Sequence, residues 1–249
     1  RNKYRRYMFE TYYTFHDRTG EHDLMKKPGD IEGQPFNLER LDDCTVMLLD
    51  YSDQVQVDFV KNSKVFIGPS CESVFVRDCS DTVFTIACKQ LRTRDCSNCT
   101  FFLYSQTDPI IETSTRMRFA PFNGAYPGIE DGFRASRLDP VNNHWKNVFD
   151  FNKGEASIPE PHLEFVDLET EWVDWHVDVD GRSGVNPVPR DAAAPVETDA
   201  FAGSKKGETT EMSFDIRTTT QEQATAALQA AEEAALQAEV EKEKLKERA

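Results

Sequence analysis

The middle of the chain repeats itself. Written one above another, FNLERLDDCTVMLL from Phe36, VQVDFVKNSKVFIG from Val55, VFVRDCSDTVFTIA from Val74 and LRTRDCSNCTFFLY from Leu91 share their apolar columns. Leu41, Val60, Cys79 and Cys96 step by 19, 19 and 17 residues; the same steps carry Val46, Val65, Phe84 and Phe101, and also Leu48, Ile67, Ile86 and Leu103. Each unit holds short alternating runs such as Val74-Phe75-Val76 and Val83-Phe84-Thr85-Ile86, separated by polar corners at residues such as Asp78, Ser80 and Asp81. That is the pattern of half-buried strands joined by turns. One coil of this size cannot bury its apolar face alone, whereas stacked coils share a continuous core. The repeat therefore predicts an all-β chain built on a parallel β-helix.

The register also assigns the cysteines. Cys79 and Cys96 fall in an interior column otherwise made of Leu and Val, while Cys44 and Cys99 align with Ser63 and Thr82. The Cys96-Ser-Asn-Cys99 spacing, which invites a metal or redox reading, becomes a corner and core feature with cysteine as a small hydrophobe. A zinc site needs a second Cys or His pair at comparable spacing, and His16, His22, His144, His162 and His176 form none. No helix N-terminus is predicted there to lower a thiol pKa, which argues against a thioredoxin-type pair. No metal and no cofactor is expected.

Charge narrows the partners. A net charge of -15 argues against nucleic acid and against an anionic membrane surface, because phosphate binding needs clustered Lys and Arg. A protein or small-molecule partner is expected instead. No run of about 18 apolar residues is present to span a bilayer, and no charged-then-apolar signal segment opens the chain. The first residue is Arg1 rather than Met, which leaves room for residues upstream, a lipid anchor among them. Six cysteines in 249 residues are too few for a secreted disulfide scaffold, so reduced thiols in the cytoplasm are expected.

Two arginines stand out in the last unit. Strand alternation turns Leu91 and Thr93 to one side and Arg92 and Arg94 to the other, outward side. The next coil, PIIETSTRMRFAPF from Pro109, follows at a step of 18, which stacks Glu112 on Arg94 and sets Ile110 beside Arg92. On that register Arg94 has a structural carboxylate partner and Arg92 has none. Arg92 is then a solvated surface residue, one paired with Asp95, or a guanidinium held out for work on another molecule. The second use is that of an arginine finger, which enters a GTPase site in trans and speeds hydrolysis by roughly 10³ to 10⁵. Such a group must be held within about 0.5 Å of its productive position, and a rigid sheet can do that.

The remaining chain divides by composition. Residues 1–27 read as an N-terminal extension and 28–155 as the β-helix domain. Residues 156–184, rich in acidic and aromatic residues including Phe165, Trp172 and Trp175, read as an extended arm packing back on it. Within the arm, Asp178 to Gly181 suggest a calcium loop, but an EF-hand register puts His176 at its first ligand and Pro187 at its twelfth, so a turn is expected. Residues 185–219 shift to Pro, Ala, Gly, Ser, Thr and charge, a linker composition. Residues 220–249 read as a C-terminal amphipathic α-helix opened by a Thr220/Gln223 capping box. Its stripe of Ala224, Leu228, Ala231, Ala235, Ala238 and Leu245 is thin, better suited to lying on a larger surface than to dimerising alone.

Several motifs carry a family resemblance. ACKQLR, from Ala87 to Arg92, resembles the A-C-Q-Q-L/F-R segment of the tubulin-folding cofactor C domain family, within it the retinitis-pigmentosa protein 2 branch. Further matches occur in order: YMF at Tyr7, PG-x-I-x-GQ-x-F from Pro28, FIGP at Phe66, PIIE at Pro109 and NN-x-W-x-N-x-x-DF from Asn142. The resemblance implies a right-handed β-helix and GTPase activation, on Arf-like small GTPases in that branch and on tubulin in the cofactor C branch. It makes Arg92 the finger and puts Lys89, Gln90 and Glu112 at the GTPase-facing surface. Lys89 stands where the family has glutamine, and a lysine cannot accept a hydrogen bond as an amide can. The nucleotide-kinase-like domain of that branch does not read from the residues after Phe151. The alternative is a non-catalytic component of a ciliary, axonemal or other microtubule-associated assembly, docking through the β-helix and residues 156–249. Either reading implies a cytoplasmic location at the microtubule cytoskeleton, a cilium or a flagellum.

Overall fold

A computed structural model describes residues 2–191 of the chain. In chain order they form α1 (Asn2–Tyr12), β1 (Thr14–Thr19), β2 (Leu24–Lys26), β3 (Phe36–Asp42), β4 (Thr45–Leu48), β5 (Val55–Lys61), β6 (Lys64–Arg77), β7 (Val83–Arg94), β8 (Thr100–Ser105), β9 (Ile110–Glu112), β10 (Met117–Pro121), β11 (Gly124–Ala125), α2 (Ile129–Ala135), β12 (Phe149–Asp150), β13 (Leu163–Phe165) and β14 (Trp175–His176). The strands stack in parallel as a β-helix of about six turns. One side is built from β1, β3, β5, the ends of β6 and β7, then β9 and β12. A second is built from β2, β4, the starts of β6 and β7, then β8, β10 and β13. Between them a narrow third side runs through Ser52, Ser70, Cys88 and Ser105.

The register follows the repeat. Leu38, Val57, Val76, Thr93 and Ile111 lie one above another, as do Val46, Val65, Phe84 and Phe101. The corners explain the sequence between the apolar columns. Arg40, Phe59, Asp78, Asp95 and Thr113 form one column in the left-handed region, with φ from 44° to 57°, and Asp43, Asn62, Asp81, Asn98 and Arg116 form a second. Asp and Asn recur there because their short polar side chains tolerate that conformation. Ladder bonds such as Asn62 Nδ2 to Asp42 Oδ1 at 2.9 Å and Asn98 Nδ2 to Asp81 Oδ1 at 2.6 Å tie adjacent corners.

The interior is apolar and layered. Phe84, Phe101 and Phe119 stack with centroids 4.9 and 5.3 Å apart and planes within 15°. Cys44, Cys79, Cys96 and Cys99 are all buried and unbridged, so the thiols act as core filling. Burial pushes the Cys99 thiol up to about 12, far from the thiolate a redox pair uses. One inward position departs from the hydrocarbon pattern: the Thr93 hydroxyl is buried without a hydrogen-bond partner, in a column with Val57, Val76 and Ile111. Thr93→Val is therefore expected to stabilise the fold by about 1 kcal/mol, since it removes an unsatisfied hydroxyl at little change of shape. A lower denaturant midpoint in the variant would show instead that the hydroxyl finds a partner.

The described chain differs from the sequence boundaries at both ends. β1 and β2 already pair with β3 and β4, so the first coil begins within the stretch read as an N-terminal extension. Packing also continues past Gly184. Val188 is buried, Asn186 Nδ2 donates to the Phe122 carbonyl at 2.9 Å, and Arg190 lies 4.5 Å from the centroid of the Trp172 ring. A proline-rich composition did not disclose these contacts because they are made to residues far away in the chain. The rest of the linker and the helix expected over 220–249 lie outside the described residues.

The arm covers the second side. Trp172 packs edge-on to Phe102 at 6.0 Å, Trp175 to Phe66 at 5.3 Å, and β14 adds to β11. Arg118 fixes it by donating to carboxylates on both flanks, Glu164 at 2.9 Å and Glu171 at 2.7 Å. The Asp178–Gly181 stretch is a tight turn with Asp180 and Gly181 at positive φ, and Lys27 holds Asp180 at 2.7 Å. Among the described residues no group of acidic, Cys or His side chains is arranged to hold a metal, and no helix is long and apolar enough to cross a membrane.

Candidate functional site

With the second side clad by the arm and α2 packed near Pro69 on the third, the first side is the open sheet. Its outward residues form two columns. Asn37, Gln56, Phe75, Arg92, Ile110 and Phe149 make one; Glu39, Asp58, Arg77, Arg94 and Glu112 make the other, with Phe151 following at its end. Leu91 and Thr93 are buried and Arg92 and Arg94 exposed, as alternation requires.

Among the described residues, charges on this sheet are matched except at Arg92 and Glu112. Arg77 donates to Asp58 at 2.6 and 2.8 Å and to Gln56 at 2.8 Å. Lys89 Nζ meets Glu72 at 2.9 Å. Arg94 and Glu112 are in register on neighbouring strands, but the ion pair expected between them is not made. Arg94 Nε lies 3.4 Å from Asp95 instead, because the left-handed corner at Asp95 folds that carboxylate back beside its neighbour. Arg92 and Glu112 make no ion pair among the described residues. The reason for singling out Arg92 thus shifts: Arg94 is occupied by Asp95, and Glu112 is left open beside it.

The Lys89 segment has its own geometry. Between Ile86 and Leu91 the β7 coil is two residues shorter than the β6 coil beneath it, so β6 bulges over Gly68–Pro69 and Cys71–Glu72. This is where the repeat step falls from 19 to 17. The Lys89 carbonyl accepts from the Thr107 backbone N–H and hydroxyl, both at 3.0 Å, and Gln90 is half-buried beside it. Lys89 thus sits at the bulge beside Glu72, and Arg92, three residues on along β7, lines a shallow hollow with Phe75, Ile110 and Glu112.

The far end of the sheet carries features that the repeat does not announce. Phe149 and Phe151 are exposed and extend the two columns past Ile110 and Glu112. Between them Asp150 turns inward above Ile111, where its Oδ2 lies 2.7 Å from Nδ1 of the buried His162; Nε2 of that ring faces the Ile158 carbonyl at 3.2 Å. Both nitrogens meet acceptors, so the ring is satisfied as imidazolium, and the bond to Asp150, helped by the Ile158 carbonyl, raises its pKa above 6.5. A raised folded pKa means that the stabilisation is complete below about 6.5 and is lost as pH rises through the folded value. The melting-temperature difference between wild type and His162→Gln is expected to be largest near pH 6 and to shrink towards pH 9. A difference that stays constant across that range would show a neutral ring.

Fold and face define the class: a parallel β-helix module with one side sheathed by its own arm and, among the described residues, a broad sheet left open around an arginine without an ion pair. A family model for tubulin binding cofactor C matches residues 33–151. Tubulin-specific chaperone C of Mus musculus is 32% identical over 153 residues, 61% of this chain and 45% of that protein. Protein XRP2 of Gallus gallus is 39% identical over 139 residues, 56% of this chain and 39% of that protein. A solved tubulin binding cofactor C from Leishmania major aligns with a TM-score of 0.42 at 18% identity, covering 63% of this chain and 90% of that one. Residues 33–151 of the chain form a tubulin binding cofactor C domain. It spans less than half the length of the curated relatives named here.

Proposed function

We propose that the open sheet docks a GTP-binding protein, tubulin or an Arf-like small GTPase, and that Arg92 completes the partner's site for GTP hydrolysis. The observation that carries this reading is the Arg92 guanidinium, without an ion pair among the described residues, on a sheet where Arg77, Lys89 and Arg94 are each matched by a carboxylate. A free, always-charged fork on a rigid strand is suited to the negative charge that spreads over a transferring phosphoryl group. Glu112, without an ion pair among the described residues, is available to a basic group of the partner, and Gln90 offers a half-buried amide beside Lys89. Lys89 supplies donors only and lies 2.9 Å from Glu72. The chaperone relatives are named tubulin-specific, which favours tubulin as the first partner to try.

Single-turnover GTP hydrolysis by αβ-tubulin, and separately by Arf-like GTPases, tests the reading. Acceleration by the wild-type chain supports it; no acceleration of either sinks the catalytic role. A non-catalytic role in a ciliary, axonemal or microtubule-associated assembly uses the same sheet for docking and leaves hydrolysis unchanged. The arm over residues 163–177 is engaged with its own β-helix, which leaves the sheet as the better surface for either role.

A further inference from the structure

The corner column beside the open sheet contains one residue that its surroundings do not explain. Phe59 has φ 57° and is 52% exposed. A bulky side chain in the left-handed region is strained, and a ring left in water recovers nothing for it. Its column neighbours all have a reason to be there. Arg40 is bonded through two nitrogens to Asp17, Thr113 bonds Asp95 at 2.5 Å, and Asp78 and Asp95 are of the residue type that tolerates the conformation. No aromatic partner or cation lies against the Phe59 ring among the described residues.

Phe59 overhangs a shallow hollow that it shares with Arg40, Lys61 and Asp78. Arg40 is neutralised by Asp17 and Glu39, and Lys61 by Asp42 at 3.3 Å. Asp78 makes no ion pair among the described residues, so the hollow offers an aromatic face beside an open carboxylate. That combination takes a basic side chain, its cation over the ring and its head group on the acid. The site continues the Arg92 sheet: Asp58 and Arg77, next to Phe59 and Asp78, belong to the same outward column as Arg94 and Glu112. A chain of net charge -15 complements a basic patch on whatever docks there.

We propose that Phe59 and Asp78 form a second anchor of the docking surface, taking an arginine or lysine of the protein that the Arg92 sheet engages. This rests on the reading of that sheet as a docking face, and its test separates the two. Affinity is measured for αβ-tubulin and for an Arf-like GTPase loaded with a GTP analogue, alongside thermal unfolding of the free chain. Phe59→Asn is expected to raise the melting temperature by about 2–4 °C, because asparagine suits the backbone, and to weaken binding about tenfold. Asp78→Asn, which keeps a residue compatible with the corner, is expected to weaken binding similarly, and Phe59→Tyr to retain it. Unchanged binding in Phe59→Asn overturns the anchor while leaving the sheet's role intact. A melting temperature that falls overturns the claim that the ring is held out at a cost to the fold. Absence of binding by wild type to both probes overturns the docking face and the anchor with it.

Discussion

Arg92→Ala is expected to lower the acceleration of GTP hydrolysis by about 10³-fold or more, while leaving the chain's melting temperature unchanged. The two halves of this result have separate causes. Arg92 is exposed and makes no ion pair or hydrogen bond among the described residues, so its removal costs the fold nothing specific. The whole of its effect falls on the partner's transition state. Arg92→Lys is expected to restore little, because an ammonium cannot reproduce a planar, two-pronged contact. Arg94→Ala serves as the control: the residue lies two positions along the same strand, but Asp95 holds it, and its loss is expected to cost less than tenfold. Equal losses in the two variants would mean that the sheet acts through overall charge and that no one guanidinium reaches the nucleotide.

The largest expected effect on stability lies in the aromatic ladder. Phe101 is fully buried between Phe84 and Phe119, in stacking contact with both. Phe101→Ala empties the middle rung, so neither outer ring can close the gap without displacing a strand, and a loss of about 3–5 kcal/mol is expected. Phe101→Leu, which refills much of the volume, is expected to cost less than half of that. Urea unfolding of the three proteins decides it. A cost below about 1 kcal/mol for the alanine variant would show that the coils slide to fill the space, contrary to the rigidity that positioning Arg92 requires.

Much of this architecture is legible in the sequence because a solenoid writes its contacts at a fixed period. The columns of Leu41, Val46 and Leu48 predict register across four coils, and the step of 18 from Leu91 to Pro109 places Glu112 beside Arg94. What failed there was the contact, since a neighbouring Asp95 at a left-handed corner competes better than a residue one strand away. Phe59 escaped for a related reason. The same kind of corner puts Asp58 and Phe59 outward in succession, which strict alternation does not allow. β12 pairs with β9 across an excursion that includes α2, so the continuation of the site to Phe149 and Phe151 has no period to reveal it. Only the motif around Asn142 pointed to that region.

The arm that sheathes the second side has a consequence for traffic through this module. Chain that lies on its own β-helix removes a sheet from competition, and a broad first side remains, anchored by Arg92 near its middle. On the docking reading proposed above, two proteins that recognise that side exclude one another, so successive partners exchange there in an order set by relative affinity and abundance and not by assembly on separate faces.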